Sequence, residues 1–127
     1  MENEIGRSVV DAALTVHKAL GPGLLESAYE ACLCRELELR NWQVERQVAI
    51  PIRYQDIEVD QGYRLDLLIN RLVVVEIKSV DRIADVHRAQ ILSYLKLGDF
   101  KLGFLINFNS SRIRDGIQRF VNGLDER

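Results

Sequence analysis

Asp66, Glu76 and Lys78 lie within YRLDLLINRLVVVEIKSV, residues 63–80, where apolar side chains dominate on both sides of Asn70-Arg71. Three charges in segments otherwise suited to an interior need a reason. Burying an unpaired charge is costly unless a partner or a metal compensates it. Either these side chains sit in water at strand ends, or they form a site. On a strand, side chains two apart share a face, so Glu76 and Lys78 point the same way, about 7 Å apart. Asp66 comes from the preceding strand, and the turn between the strands decides whether it joins them. A two-residue loop at Asn70-Arg71 would pair Asp66 with Val75 and send it to the opposite face. A three- or five-residue loop, or a bulge, would set it beside Glu76. Asn70 tolerates the left-handed backbone that a longer turn uses.

The chemistry open to such a set is specific. Hard divalent cations prefer carboxylate and carbonyl oxygens, and Mg²⁺ keeps several waters with one or two protein carboxylates. Asp66, Glu76 and the Ile77 carbonyl are suitable donors, with Mn²⁺ as a substitute for Mg²⁺. Lys78 beside them can stabilise an attacking hydroxide or the charge developing on a phosphate. The competing explanation is a solvated Glu76–Lys78 pair at a strand end. Acid-x-Lys is a common tripeptide, and spacing alone favours that plainer explanation.

The elements that must position these residues follow from periodicity. Ile5, Val9, Ala12, Ala13, Val16 and Leu20 recur at helical spacing over 3–20, and Gly21-Pro22-Gly23 ends that helix. Leu25, Ala28, Tyr29, Cys32 and Leu33 mark a second helix to about Leu39. Val44, Arg46, Val48, Ile50 and Ile52 alternate as a strand, in which Pro51 implies an edge position or a bend. Residues 57–69 and 72–79 form the hairpin. LVVVEIK is too continuously apolar for a half-exposed strand and belongs at a sheet centre covered on both faces. A helix from about Ala84 to Leu97, a buried strand over 102–108 and a last helix over 111–123 complete the expected order. The result is an α/β fold with a mixed sheet, read as a single domain over 1–127.

Composition bounds the rest. The 127 residues are 47% apolar and 28% charged, with a net charge of −2, and the pI is about 5.7. That balance is ordinary for a globular protein and excludes a uniformly basic nucleic-acid coat. No stretch reaches the ~18 apolar residues of a membrane span, and MENEIGRSVVDAAL lacks the pattern of a secretory signal. Cys32 and Cys34 point about 200° apart on one helix, so neither a bridge between them nor a zinc site follows. The expectation is a cytoplasmic protein with reduced cysteines and no membrane contact.

Asp66, then Glu76-Ile77-Lys78 after a hairpin, resembles the PD-(D/E)XK nuclease superfamily with its restriction-endonuclease-like fold. GLLESAY is similar to the GxxExxY signature of one family in it, at Gly23, Glu26 and Tyr29. VERQV, YRLDLLI, VEIKSV, VHRAQILSYLKL and GFLINF resemble its successive blocks, in order and across nearly the whole chain. Leu65 stands where the superfamily's name places Pro.

The resemblance implies an αβββαβ core, with a mixed central sheet flanked by helices and an extra N-terminal helix. It implies a Mg²⁺-dependent nuclease with Asp66, Glu76 and Ile77 at the metal. Glu26 completes the metal site from its helix, and Lys78 and Gln90 act in catalysis. His87 and Tyr94, on the same helical stripe as Gln90, would meet substrate. The dipole of the second helix alone would also favour Glu26 in its first turn, and core packing alone would employ Tyr29. Arg82, Arg88, Arg112, Arg114 and Arg119 can meet phosphates or simply be solvated. Nucleic acid is the expected partner and a homodimer the expected assembly if a small core is to hold a duplex. The alternative is a catalytically silent module of the same fold that binds nucleic acid or a protein.

Overall fold

The apolar stripe of the first helix finds its partner in the sheet. In the computed structural model, which describes residues 1–125, α1 (Glu2–Leu20) buries Ile5, Val9, Ala12, Ala13 and Val16. α2 (Glu26–Leu39) adds Tyr29, Leu33, Cys34 and Leu37 to the same face. Gly21 and Gly23 adopt φ of 70° and 99° in the connection, a conformation glycine takes without a side-chain clash.

The strands are β1 (Val44–Tyr54), β2 (Ile57–Ile69), β3 (Val73–Lys78), β4 (Leu102–Asn107) and β5 (Ile117–Val121). They lie in the order β1-β2-β3-β4-β5, with β3 in the middle. Neighbours are antiparallel except β3 and β4, which run parallel. α3 (Asp85–Gly98) makes the crossover that a parallel pair requires. β3 is covered on both faces, as its unbroken apolar run implies. Val73, Val75 and Ile77 enter the core under α1 and α2, and Val74 enters a smaller core with Leu65, Leu68 and Leu95 of α3. Pro51 sits on the edge strand β1, where the pairing with β2 shifts register between Ile50 and Ile52. Among the described residues no helix is long and apolar enough to cross a membrane.

One expected element is corrected. Residues 111–123 do not form a helix: a short 3-10 turn at Ile113–Gly116 leads straight into β5. The Ile113/Ile117 spacing imitates a helical stripe, but IQRFV has the β-branched and aromatic content of a strand. β5 pairs along β4 from Ile106↔Ile117 to Leu102↔Val121, satisfying an edge that would otherwise be open. Gly116 makes the transition possible, because a Cβ there would run into the Asn107 carbonyl and Ser110.

Candidate active site

The turn between β2 and β3 has three residues, Asn70, Arg71 and Leu72, between the paired Ile69 and Val73. Asn70 and Arg71 take left-handed φ of 50° and 53°. This is the odd count that sets Asp66 level with Glu76. Main-chain pairing continues through Leu68↔Val74 and Leu67↔Val75 and then stops. Beyond it, side chains take over. The Asp66 N–H donates to Glu76 Oε1 at 3.2 Å, and the Ile77 N–H donates to Asp66 Oδ2 at 2.8 Å. Two carboxyl groups thus occupy the fork where β2 leaves β3, each accepting from the other strand's backbone.

Their electrostatics are strained. Glu76 is only 7% exposed. Burial, reinforced by the charge of Asp66 and opposed by that of Lys78, pushes its pKa up to about 9. Burial also raises Asp66, while the hydrogen bond from Ile77 lowers it and the charge of Glu30 raises it. Near neutral pH the pair therefore retains a proton, because two adjacent carboxylates cannot both ionise cheaply. Lys78 shares the Glu76 face of β3 and its ammonium is within electrostatic reach of that acid.

Helix α2 closes one side. Its first residue, Glu26, accepts the Ser79 N–H at 3.3 Å, while Ser79 Oγ donates to the Leu24 carbonyl at 2.6 Å. Glu26 lines a cleft of about 410 Å³ with Ser27, Glu30, Gln47, Asp66 and Ile77. Tyr29 is fully buried and stacks on Phe108 with ring centres 4.6 Å apart. Its hydroxyl donates to the Gly21 carbonyl and accepts the Leu24 N–H, pinning the loop that delivers Glu26. Buried Asn107 holds the segment after Lys78: its Oδ1 accepts from Val80 and Asn109, and its Nδ2 donates to the Val80 carbonyl.

Helix α3 supplies the other side unevenly. Tyr94 stacks on Tyr63 at 4.5 Å, and its phenol is raised by burial and then by the charges of Glu76 and Asp66. His87 Nδ1 accepts the Ala84 N–H at 3.0 Å, which caps the helix. Gln90 is exposed and is not among the residues lining the cleft. Arg114 and Arg119 line a separate groove against α1 that shares no residue with the cleft.

Among the described residues, no three His, Cys, Asp or Glu groups gather into a metal-holding set. The carboxyls that meet are Asp66 and Glu76, and Glu26 is occupied with the Ser79 amide. Sequence reasoning overlooked Glu30, Arg46 and Gln47. Glu30 is 7% exposed, with Oε2 accepting from Arg46 and Oε1 from Gln47. Its place one turn after Glu26 on the same helical face was a readable signal.

Residues 3–120 match the family model of the PD-(D/E)XK nuclease superfamily. The three helices and mixed five-stranded sheet accord with the restriction-endonuclease-like fold. No curated protein and no solved structure matches the chain.

Proposed function

The chain belongs to the PD-(D/E)XK nuclease superfamily, and from that premise we propose that it is a metal-dependent phosphodiesterase that hydrolyses nucleic acid with water as nucleophile. The observation that carries this reading is the fork. Asp66 and Glu76 replace a stretch of backbone ladder there, at the cost of a proton held to a pKa of about 9. A purely structural strand end gains nothing from that arrangement, whereas a cation would relieve it.

The donors fit a hard cation. Asp66, Glu76 and the Ile77 carbonyl would hold Mg²⁺, or Mn²⁺ in its place, as oxygen ligands. When bound, such an ion supplies Lewis-acid polarisation of the phosphate and a more acidic water. Lys78 presents its ammonium beside Glu76, stabilising negative charge on the attacking oxygen and on the phosphate. Glu26 and Asn107 fix Ser79 and Val80, and so the backbone from which Lys78 projects. Tyr94 of α3, stacked on Tyr63 of β2, would limit the water that weakens these electrostatics, since its phenol feels the charges of Glu76 and Asp66. Gln90 is exposed on α3 and suits contact with substrate rather than metal, while His87, half-buried and engaged at the helix start, keeps its Nε2 for such a contact.

Calorimetric titration of Mn²⁺ and Mg²⁺, with cleavage assays on supercoiled, branched and single-stranded substrates, tests the reading. Metal binding with cleavage supports it. A wild-type protein that neither binds metal nor cuts any substrate sinks it in favour of a silent module.

A further inference from the structure

Gln47 has a backbone that its residue type does not favour. It lies inside β1 with φ of 52°, a left-handed value uncommon outside glycine, asparagine and aspartate. The register with β2 is the same on both sides of it, at Arg46↔Leu67 and Val48↔Leu65, while Gln47 and Asp66 themselves drop out of the ladder. What changes is the face. Arg46 reaches Glu30 of α2, and Val44 packs on the core beneath α1 and α2. Val48 and Ile50 pack instead on the opposite core, against Leu65 and Leu68. The left-handed residue reverses the alternation of the strand, and it does so directly beside Asp66.

That reversal aims the Gln47 amide into the cleft. Its Nε2 has two hydrogens and two carboxylate acceptors, Glu30 Oε1 at 2.6 Å and Asp66 Oδ1 at 3.3 Å. Glu30 is held in turn by Arg46, whose Nε and Nη2 both reach Oε2 at 3.0 Å. The chain of contacts runs from Arg46 through Glu30 and Gln47 to one oxygen of Asp66, while the other oxygen takes the Ile77 N–H.

We infer that Gln47 is a positioning residue for Asp66: its amide fixes the carboxylate plane, with Glu30 and Arg46 as its anchor, so that the remaining lone pairs of Asp66 face a cation. The inference deepens the metal reading of the fork and rests on it. A neutral amide suits this duty because it donates to both acids at once. A carboxylate at position 47 would repel both, and a lysine would compete with the cation.

The test exploits the backbone. Gln47→Gly removes the amide yet relieves the left-handed strain, so a merely structural role and a positioning role move different readouts. The expected result is an unchanged or higher melting temperature. With it should come at least tenfold faster hydrogen exchange at the Ile77 amide in the metal-free protein, with other β3 amides unchanged. Mn²⁺ affinity should fall by about tenfold or more. Gln47→Glu, which keeps length but cannot donate, should show the same loosening at Ile77. Unchanged Ile77 exchange in both variants overturns the inference, as does exchange that rises equally along all of β3. The exchange measurement needs no metal, so wild type failing to bind Mn²⁺ would sink the metal reading while the role of Gln47 is still decided.

Discussion

The two edges of β3 are built from the same six residues and do opposite things. Toward β4 the ladder is complete, from Val73↔Leu102 to Lys78↔Asn107. Toward β2 it holds from Ile69↔Val73 to Leu67↔Val75 and then gives way to Asp66 and Glu76 side chains. One edge supplies stability, because its main-chain groups and apolar residues are all satisfied. The other exchanges its ladder for hydrogen bonds to two carboxyl groups, half-buried Asp66 and buried Glu76, which sit together at least cost as a protonated pair or around a cation. Chemistry in this fold sits where a strand stops pairing.

The largest expected effects should separate binding from catalysis on the open edge. Asp66→Ala is expected to remove both Mn²⁺ binding and cleavage, since it deletes a ligand. Lys78→Ala is expected to keep metal binding while lowering kcat by about a hundredfold to a thousandfold, the usual loss on removing one charge-stabilising donor. Calorimetry beside single-turnover cleavage distinguishes them. Equal loss of binding in both would erase the division of labour.

On the closed edge the order reverses. Ile106 is fully buried beneath α1 and α2, and Ile106→Ala should cost about 2–5 kcal/mol of stability. The cleavage rate per folded molecule should survive it. Urea unfolding with activity normalised to the folded fraction checks this, and a variant that loses activity before it loses structure would break the comparison.

The pH dependence sharpens it further. Glu76 is raised from an ordinary 4.5 to about 9 in the folded protein. Between those values the folded chain holds a proton that the unfolded chain has released, so metal-free stability should fall as pH rises through that window. One proton sets a limiting slope of about 1.4 kcal/mol per pH unit. Glu76→Gln should flatten the slope and stabilise the metal-free protein at pH 8, and saturating Mn²⁺ should flatten it in wild type. Unfolding curves from pH 5 to 9 give the answer. A wild-type profile already flat without metal would show that the two acids do not share a buried site.

The smallest effect belongs to the turn. Arg71 pairs with Glu45 at the surface at 2.7 Å but carries a left-handed φ of 53°. Exposed pairs contribute little, and glycine removes the backbone cost. Arg71→Gly should therefore lie within about 1 kcal/mol of wild type, with metal affinity unchanged. A large loss would mean that the side chain, rather than the length of the turn, sets the fork.

Much of this was legible in the sequence. The unbroken LVVVEIK and LGFLINF runs indicated buried strands, and Pro51 indicated the edge. Asp66, Glu76 and Lys78 stood out as charges without an apolar explanation. The parity of the hairpin was not legible, because Asn70-Arg71-Leu72 permits a loop of two residues or three. β5 was misread because Ile113 and Ile117 are spaced as in a helix, and nothing local reveals that β4 has an open edge. Gln47 escaped notice because a glutamine gives no warning of a left-handed backbone, which tertiary contacts impose on it.

The three-residue turn has a consequence for how such a chain can change over time. Because strand faces alternate with a period of two, the turn behaves like a reading frame. Gaining or losing two residues there preserves the message, whereas gaining or losing one inverts every side chain of β2 relative to β3, including the acid. Selection on this loop would therefore tolerate wide drift in composition and even in size, yet police whether its length is odd. A lineage that crossed to an even count could keep a folded sheet and lose its chemistry in a single step.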